Sequence, residues 1–301
     1  METVIQQKEL NYAAVTKLMF DLAARYEFIK VYSIGKSVVG RPIYAAEIGI
    51  DKDKVVYAGG FHGSERLTTL TLLIFLEQLS AALKSNSDFS ISNARDALFG
   101  KSLIIVPCVN PDGYEIALNG PKTAGTYAQS VSKILGNNEY KYWNANARGV
   151  DINHNFDAGF EQLKELERSE GIVGPSPRRY GGEYPESEPE TKAMADLCRN
   201  NNVLQLICFH SQGEEIFWSY GENTPDRGYR LARLFATASG YRLVTPQGTA
   251  SYGGYKDWFI KAFNRPGFTI ELGKGENPLN PNQLYDIYNK VEELLLLGFA
   301  L

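Results

Sequence analysis

Histidine, cysteine, methionine and tryptophan are scarce: the 301 residues contain three of each. The thiols Cys108, Cys198 and Cys208 cannot all pair, no CxxC occurs, and two of the three sit in apolar β-like runs, so buried reduced thiols are expected. Neither sign of charge dominates. With 31 Lys+Arg against 35 Asp+Glu and a formal net charge of -4, a global basic field for nucleic acid or anionic lipid is excluded. The longest strongly apolar stretches, residues 103–109 and 294–301, fall far short of the roughly 18 residues a membrane helix needs. The first ten residues show neither a basic segment followed by an apolar one nor a small-residue cleavage site. A cytoplasmic protein with no membrane, nucleic-acid or obligate protein partner is therefore expected. Repeats, low-complexity tracts and Pro/Ser-rich linkers are also lacking, so residues 1–301 read as one domain, although about 150 residues per domain would allow two.

What is present is an ordinary globular balance, 44% hydrophobic and 22% charged, enough to bury a sizeable core. Amphipathic spacing predicts helices over residues 12–26, 67–83, 189–199, 225–239, 254–263 and 282–297. Strands are predicted over 29–34, 42–48, 54–58, 242–245 and 267–271. The continuous apolar runs 102–109 and 203–209 fit central strands covered on both faces. This alternation predicts an α/β fold, a three-layer α/β/α sandwich around a mixed sheet. Residues 120–185, rich in Gly, Asn, Tyr and Pro, are expected to form long ordered loops over one sheet edge.

Each histidine has an unusual setting. His62 follows a strand-like segment and precedes Gly63-Ser64-Glu65, so an imidazole and a carboxylate at i, i+3 can converge on one cation. An isolated HxxE fits equally well a capping glutamate beside a hydrogen-bonded histidine. His210 and Glu271, however, both end apolar strands, where open α/β sheets place their sites. Taken singly, each could be a satisfied polar residue at a strand end. Taken together, two histidines and two glutamates supply three Zn²⁺ ligands with an open position and a general base.

At this point the sequence resembles the zinc carboxypeptidase family of metallopeptidases. The resemblance runs in order through residues 34–43, Phe61-His62-Gly63-Ser64-Glu65, Asn110-Pro111-Asp112-Gly113-Tyr114, Gly149-Val150-Asp151-Ile152-Asn153-His154-Asn155-Phe156, Phe209-His210-Ser211 and Thr269-Ile270-Glu271-Leu272. It implies a carboxypeptidase-like fold, one Zn²⁺ per chain on His62, Glu65 and His210, and Glu271 as the base that takes a proton from water.

Three departures from the family pattern bear on substrate. The family's arginine before GVDxNRN falls at Asn144; Arg148 from a shifted loop, or a neutral donor beside the metal, could take its carbonyl-polarising role. Asn153-His154 stands where Asn-Arg grips a C-terminal carboxylate, which removes a bidentate fork. The family's loop tyrosine falls at Thr249, leaving Tyr252 or Tyr255 to supply the phenol. Lys256 occupies the specificity position, where a cation selects a carboxylate-bearing side chain; on an exposed helix it would be only a solvated residue. With Ser211-Gln212-Gly213-Glu214-Glu215, whose Ser211 and Gln212 are taken as substrate contacts, the pattern resembles the bacterial γ-D-glutamyl-diamino acid peptidase branch. That branch implies a small cell-wall peptide as substrate, cut between γ-D-Glu and diaminopimelate. Lys256 and either Glu214 or Glu215 would meet the second carboxylate and the second amine of diaminopimelate. Competing readings are a carboxypeptidase for acidic C-terminal residues, an amide deacylase, and a metal-free binding module of the same fold. A complete His62, Glu65, His210 and Glu271 set argues against the last.

Overall fold

The computed structural model describes residues 10–245 and 247–301, apart from the side chains of Asn223 and Thr249. The expectation for the N-terminal leader therefore falls almost wholly outside the described residues.

Helix α1 (Tyr12–Arg25) opens on Asn11, whose side chain accepts from the Ala14 amide, and buries Tyr12, Val15, Met19 and Leu22 along one stripe. Strands β1 (Ile29–Lys36) and β2 (Pro42–Ile48) form an antiparallel pair, followed by β3 (Asp53–Ala58) and α2 (Arg66–Ser85). A small hairpin, β4 (Asp88–Phe89) and β5 (Ser92–Asn93), and a short α3 (Ala94–Leu98) lead to β6 (Ser102–Val106) and α4 (Pro111–Asn119). Beyond α5 (Ala128–Leu135), α6 (Phe160–Ser169) and α7 (Pro189–Arg199) come β7 (Asn202–His210) and β8 (Glu215–Phe217). The chain closes with α8 (Asp226–Ser239), β9 (Arg242–Val244), α9 (Tyr255–Phe263), β10 (Gly267–Glu271) and α10 (Leu284–Ala300).

Eight strands form one sheet in the order β1-β2-β6-β3-β7-β10-β8-β9. It is mixed: β6, β3, β7 and β10 run parallel, while β2 on β6 and β8 on β10 are antiparallel. Alternate residues of the central strands feed two cores. Val55, Tyr57, Leu103, Ile105, Ile207 and Phe209 face α1, α2, α8 and α10, whereas Val56, Ala58, Ile104, Val106, Leu206 and Cys208 face α7 and α9. That two-sided burial is why these strands read as unbroken apolar runs, and it makes the three-layer sandwich.

Three expectations need correction. The apolar run predicted to reach residue 109 leaves the sheet at Val106, because Pro107 cannot donate to the ladder. The stretch 120–185 contains helices α5 and α6 as well as loops. In α6, Phe160, Leu163 and Glu167 share a buried face within a segment rich in Leu, Glu, Gln and Lys, all good helix formers. Finally, α2 is long and apolar enough to cross a membrane by length and composition, but it is largely buried inside the protein. The three cysteines are free and buried, and burial pushes all three thiols up.

Candidate metal centre and active site

The site lies at the C-terminal ends of the parallel strands. After β3 the chain passes Gly59-Gly60-Phe61 to His62. Gly60 has φ of 62°, and a Cβ there would lie 2.7 Å from Thr69 Oγ1. At Gly63 a Cβ would come within 2.1 Å of the Gly113 carbonyl oxygen, so only glycine lets the His62 loop settle against α4. Glu65 stands immediately before α2. His210 and Glu271, the last residues of β7 and β10, are register partners across the parallel ladder.

These residues converge. Glu65 Oε1 is 2.7 Å from His62 Nδ1, and Oε2 is 3.1 Å from His210 Nδ1. The two Nδ1 atoms are 3.4 Å apart, and one donor atom from each of the three residues lies within 4.8 Å of the others. His62 Nε2 lies 3.1 Å from Asp151 Oδ1, while the Arg179 amide donates to the other oxygen at 2.9 Å. An ionised carboxylate only accepts, so Asp151 fixes the proton on Nε2 and leaves the Nδ1 lone pair for a metal. Two imidazoles and a carboxylate are the donor set of a zinc site.

The electrostatics suit a dication. Burial alone would raise the Glu65 carboxyl, but His62 and the hydrogen bond from His210 bring it down to about 2. Burial is likewise outweighed at Asp151, held well below the carboxylate range by His62, His154 and the Arg179 amide. His62 is lowered by burial but raised further by Glu65 and Asp151, ending well above its ordinary value, whereas burial dominates at His210 and lowers it. Glu271 is pushed well above the usual range by burial and by the Glu65 carboxylate. A bound cation would ionise such a carboxyl more readily, since its charge opposes both effects.

Beside the ligands is a cavity of about 150 Å³ lined by His62, His210, Glu271, Asn153, His154, Tyr252, Lys256 and Asp257, among others. Lys256 is only 4% exposed; its ammonium donates to the Ser219 carbonyl at 2.8 Å and to the Asp257 carboxylate. Burial raises the Asp257 carboxyl, against the pull of Lys256. His154 Nδ1 lies 3.3 Å from the Arg179 carbonyl oxygen. Asn153 Oδ1 accepts from the Tyr255 amide at 3.2 Å.

Several expected site residues lie elsewhere. Tyr255 is fully buried between Phe156 and Trp258 and donates its hydroxyl to the Met194 carbonyl, so it is core and out of a substrate's reach. Arg148 does not line the cavity, and its guanidinium is 3.5 Å from Glu188. Asn144 uses its side-chain oxygen to accept from Ser64 at 2.6 Å, a support for the His62 loop. Ser211 donates its hydroxyl to Asn277 Oδ1 at 2.8 Å, and Gln212 is exposed outside the cavity. Glu214 pairs with Lys274 and Lys290, and Glu215 with Arg242, so neither carboxylate enters the cavity. The Thr249 side chain lies outside the described residues. Sequence reasoning missed Asp151 and Asn277; Asp151 sits inside the quoted GVD segment, whereas Asn277 carries no motif.

A family model described as zinc carboxypeptidase matches residues 15–294. The chain is 34% identical over 296 residues to gamma-D-glutamyl-L-diamino acid endopeptidase 1 of Lysinibacillus sphaericus, covering 98% of this chain and 73% of that protein. It is 24% identical over 269 residues to carboxypeptidase A1 of Bos taurus, covering 83% of this chain and 59% of that one. Among solved structures, bovine thrombin-activatable fibrinolysis inhibitor bound to tick carboxypeptidase inhibitor shares the fold, with a TM-score of 0.75 at 20% identity over 97% of this chain and 96% of that chain. Sandwich, donor set and adjacent carboxylate together define a metal-dependent hydrolase. The chain belongs to the zinc carboxypeptidase family and is a zinc metallopeptidase.

Zinc, when bound, makes water acidic near neutral pH and polarises a carbonyl oxygen. The protein's own part is divided among its residues. Asp151 orients His62, and Glu271 lines the cavity beside the ligands, as the carboxylate that would take a proton from attacking water and return it to a departing amine. Asn153, His154, Tyr252 and Lys256 line the same cavity.

Proposed function

We propose that this peptidase hydrolyses the bond between γ-D-glutamate and meso-diaminopimelate in peptides derived from peptidoglycan. The observation that carries the reading is a cation, Lys256, buried in the wall of the zinc cavity of a chain 34% identical to an endopeptidase named for that bond. An ammonium has three N–H donors, and Ser219 and Asp257 take two of them. One donor is left for the side-chain carboxylate of diaminopimelate. His154 in place of a guanidinium supports a substrate that does not depend on a bidentate grip on a terminal α-carboxylate. One sheet built from strands spread over residues 29–271 supports a single catalytic domain.

The test is incubation with L-Ala-γ-D-Glu-meso-diaminopimelate beside an ordinary peptide ending in glutamate, with products read by mass. Release of diaminopimelate at the higher kcat/KM is expected. Preferred release of the terminal glutamate would replace the proposal with a carboxypeptidase for acidic residues.

A further inference from the structure

The loop after β10 carries Asn277 back to the metal centre, where it touches two ligand-bearing segments at once. Its Nδ2 donates to the Ser211 carbonyl at 2.5 Å and reaches Glu65 Oε1 at 3.4 Å, while its Oδ1 accepts from the Ser211 hydroxyl at 2.8 Å. The Ser211 carbonyl can only accept, so the amide orientation is fixed by its surroundings. From these contacts we propose that Asn277 is a positioning residue for the zinc site, holding ligand Glu65 and the residue after ligand His210 in one frame.

The need for such a residue follows from the ligands' own chemistry. A metal takes the neutral imidazole, and with its one proton held on Nε2 by Asp151, the Nδ1 of that form has none to give Glu65. Once both Nδ1 lone pairs face a metal, the histidine contacts no longer steer the Glu65 carboxylate. Among the side-chain hydrogen bonds seen on Glu65 in the described residues, the one from Asn277 is then the one whose donor is not itself a ligand. Ser211 follows His210 directly, and Asn277 grips it at both its carbonyl and its hydroxyl, which restrains the end of β7. Asp151 thus serves His62, and Asn277 serves Glu65 and His210. Glu271 begins the same connection six residues earlier, so one segment carries both the base and the clamp.

The test is the zinc dissociation constant, measured by competition with a chromophoric chelator, and it is independent of which peptide the protein cuts. Loss of an outer partner of this kind weakens metal binding by roughly 10- to 100-fold, and Asn277→Ala should fall in that range. Ser211→Ala, which leaves the Asn277 amide on Glu65 and on the Ser211 carbonyl, should lose less. In the cobalt-substituted protein the visible absorption of Asn277→Ala should shift, while the melting temperature of the metal-free protein stays at the parent value. If the alanine variant does not fold, Asn277→Leu fills the same space without the amide and should show the same weakened affinity. Parental affinity with an unchanged cobalt spectrum would overturn the proposal, as would a metal-free melting temperature that falls in step with affinity.

Discussion

The general base is assigned by proposal to Glu271. It stands at the end of β10 beside His210, in the cavity and in no ion pair among the described residues. Glu271→Gln keeps the shape and removes the proton acceptor, so zinc content should stay at one per chain while kcat/KM drops by about 10²- to 10⁴-fold. Metal analysis beside kinetics checks this; near-normal turnover would move the base elsewhere. The proposed function gives Lys256 a part in substrate choice. Lys256→Met should reduce kcat/KM for a diaminopimelate peptide, relative to one carrying lysine after the scissile bond, by about 2 kcal/mol or more. Equal losses on both would make Lys256 a support for Asp257 alone. The cluster of His62, Glu65 and His210, with Glu271 beside it, was legible in the sequence because strand-end His and Glu residues have no core role there. Asp151 and Asn277 act only through their neighbours, and no spacing rule reaches across the 212 positions that separate Glu65 from Asn277.

At the scale of elements, a buried polar knot ties the β1–β2 connection to α4 and α7. Asp112 accepts from Ser37 Oγ, the Val39 amide and Arg41, while Glu190 accepts from the Val38 amide at 3.0 Å and from Asn146 at 3.2 Å. Burial, with Asp112 next to it, pushes the Glu190 carboxyl up to about 8. A carboxyl raised on folding stabilises the folded state fully below its unfolded value, and that stability is lost as pH climbs through about 8. Since a tenfold change in proton affinity is worth ~1.4 kcal/mol, the melting temperature should fall by several degrees from pH 5 to pH 9. Glu190→Gln should flatten that slope, and an unchanged slope would place its cause in another group. The long elements were readable because their apolar spacing extends over several turns or a whole strand: β2, α7 and β10 fall where periodicity predicts. Helices α5 and α6 were hidden by the Gly, Asn and Pro around them, since a short helix contributes only two or three apolar positions to its surroundings.

For the whole molecule, the sheet brings residues separated by more than two hundred positions into one catalytic cup, so the metal is the point at which distant segments agree. Zinc should therefore raise the melting temperature, since it binds the folded arrangement and not the open chain. The most direct measurement of the central claim is the rate of diaminopimelate release from L-Ala-γ-D-Glu-meso-diaminopimelate by the native protein, the chelated protein and the chelated protein given Zn²⁺. The account predicts activity, its loss, and its return with about one zinc per chain. Full activity in the zinc-free protein, or no release of diaminopimelate by the zinc-loaded one, would contradict it.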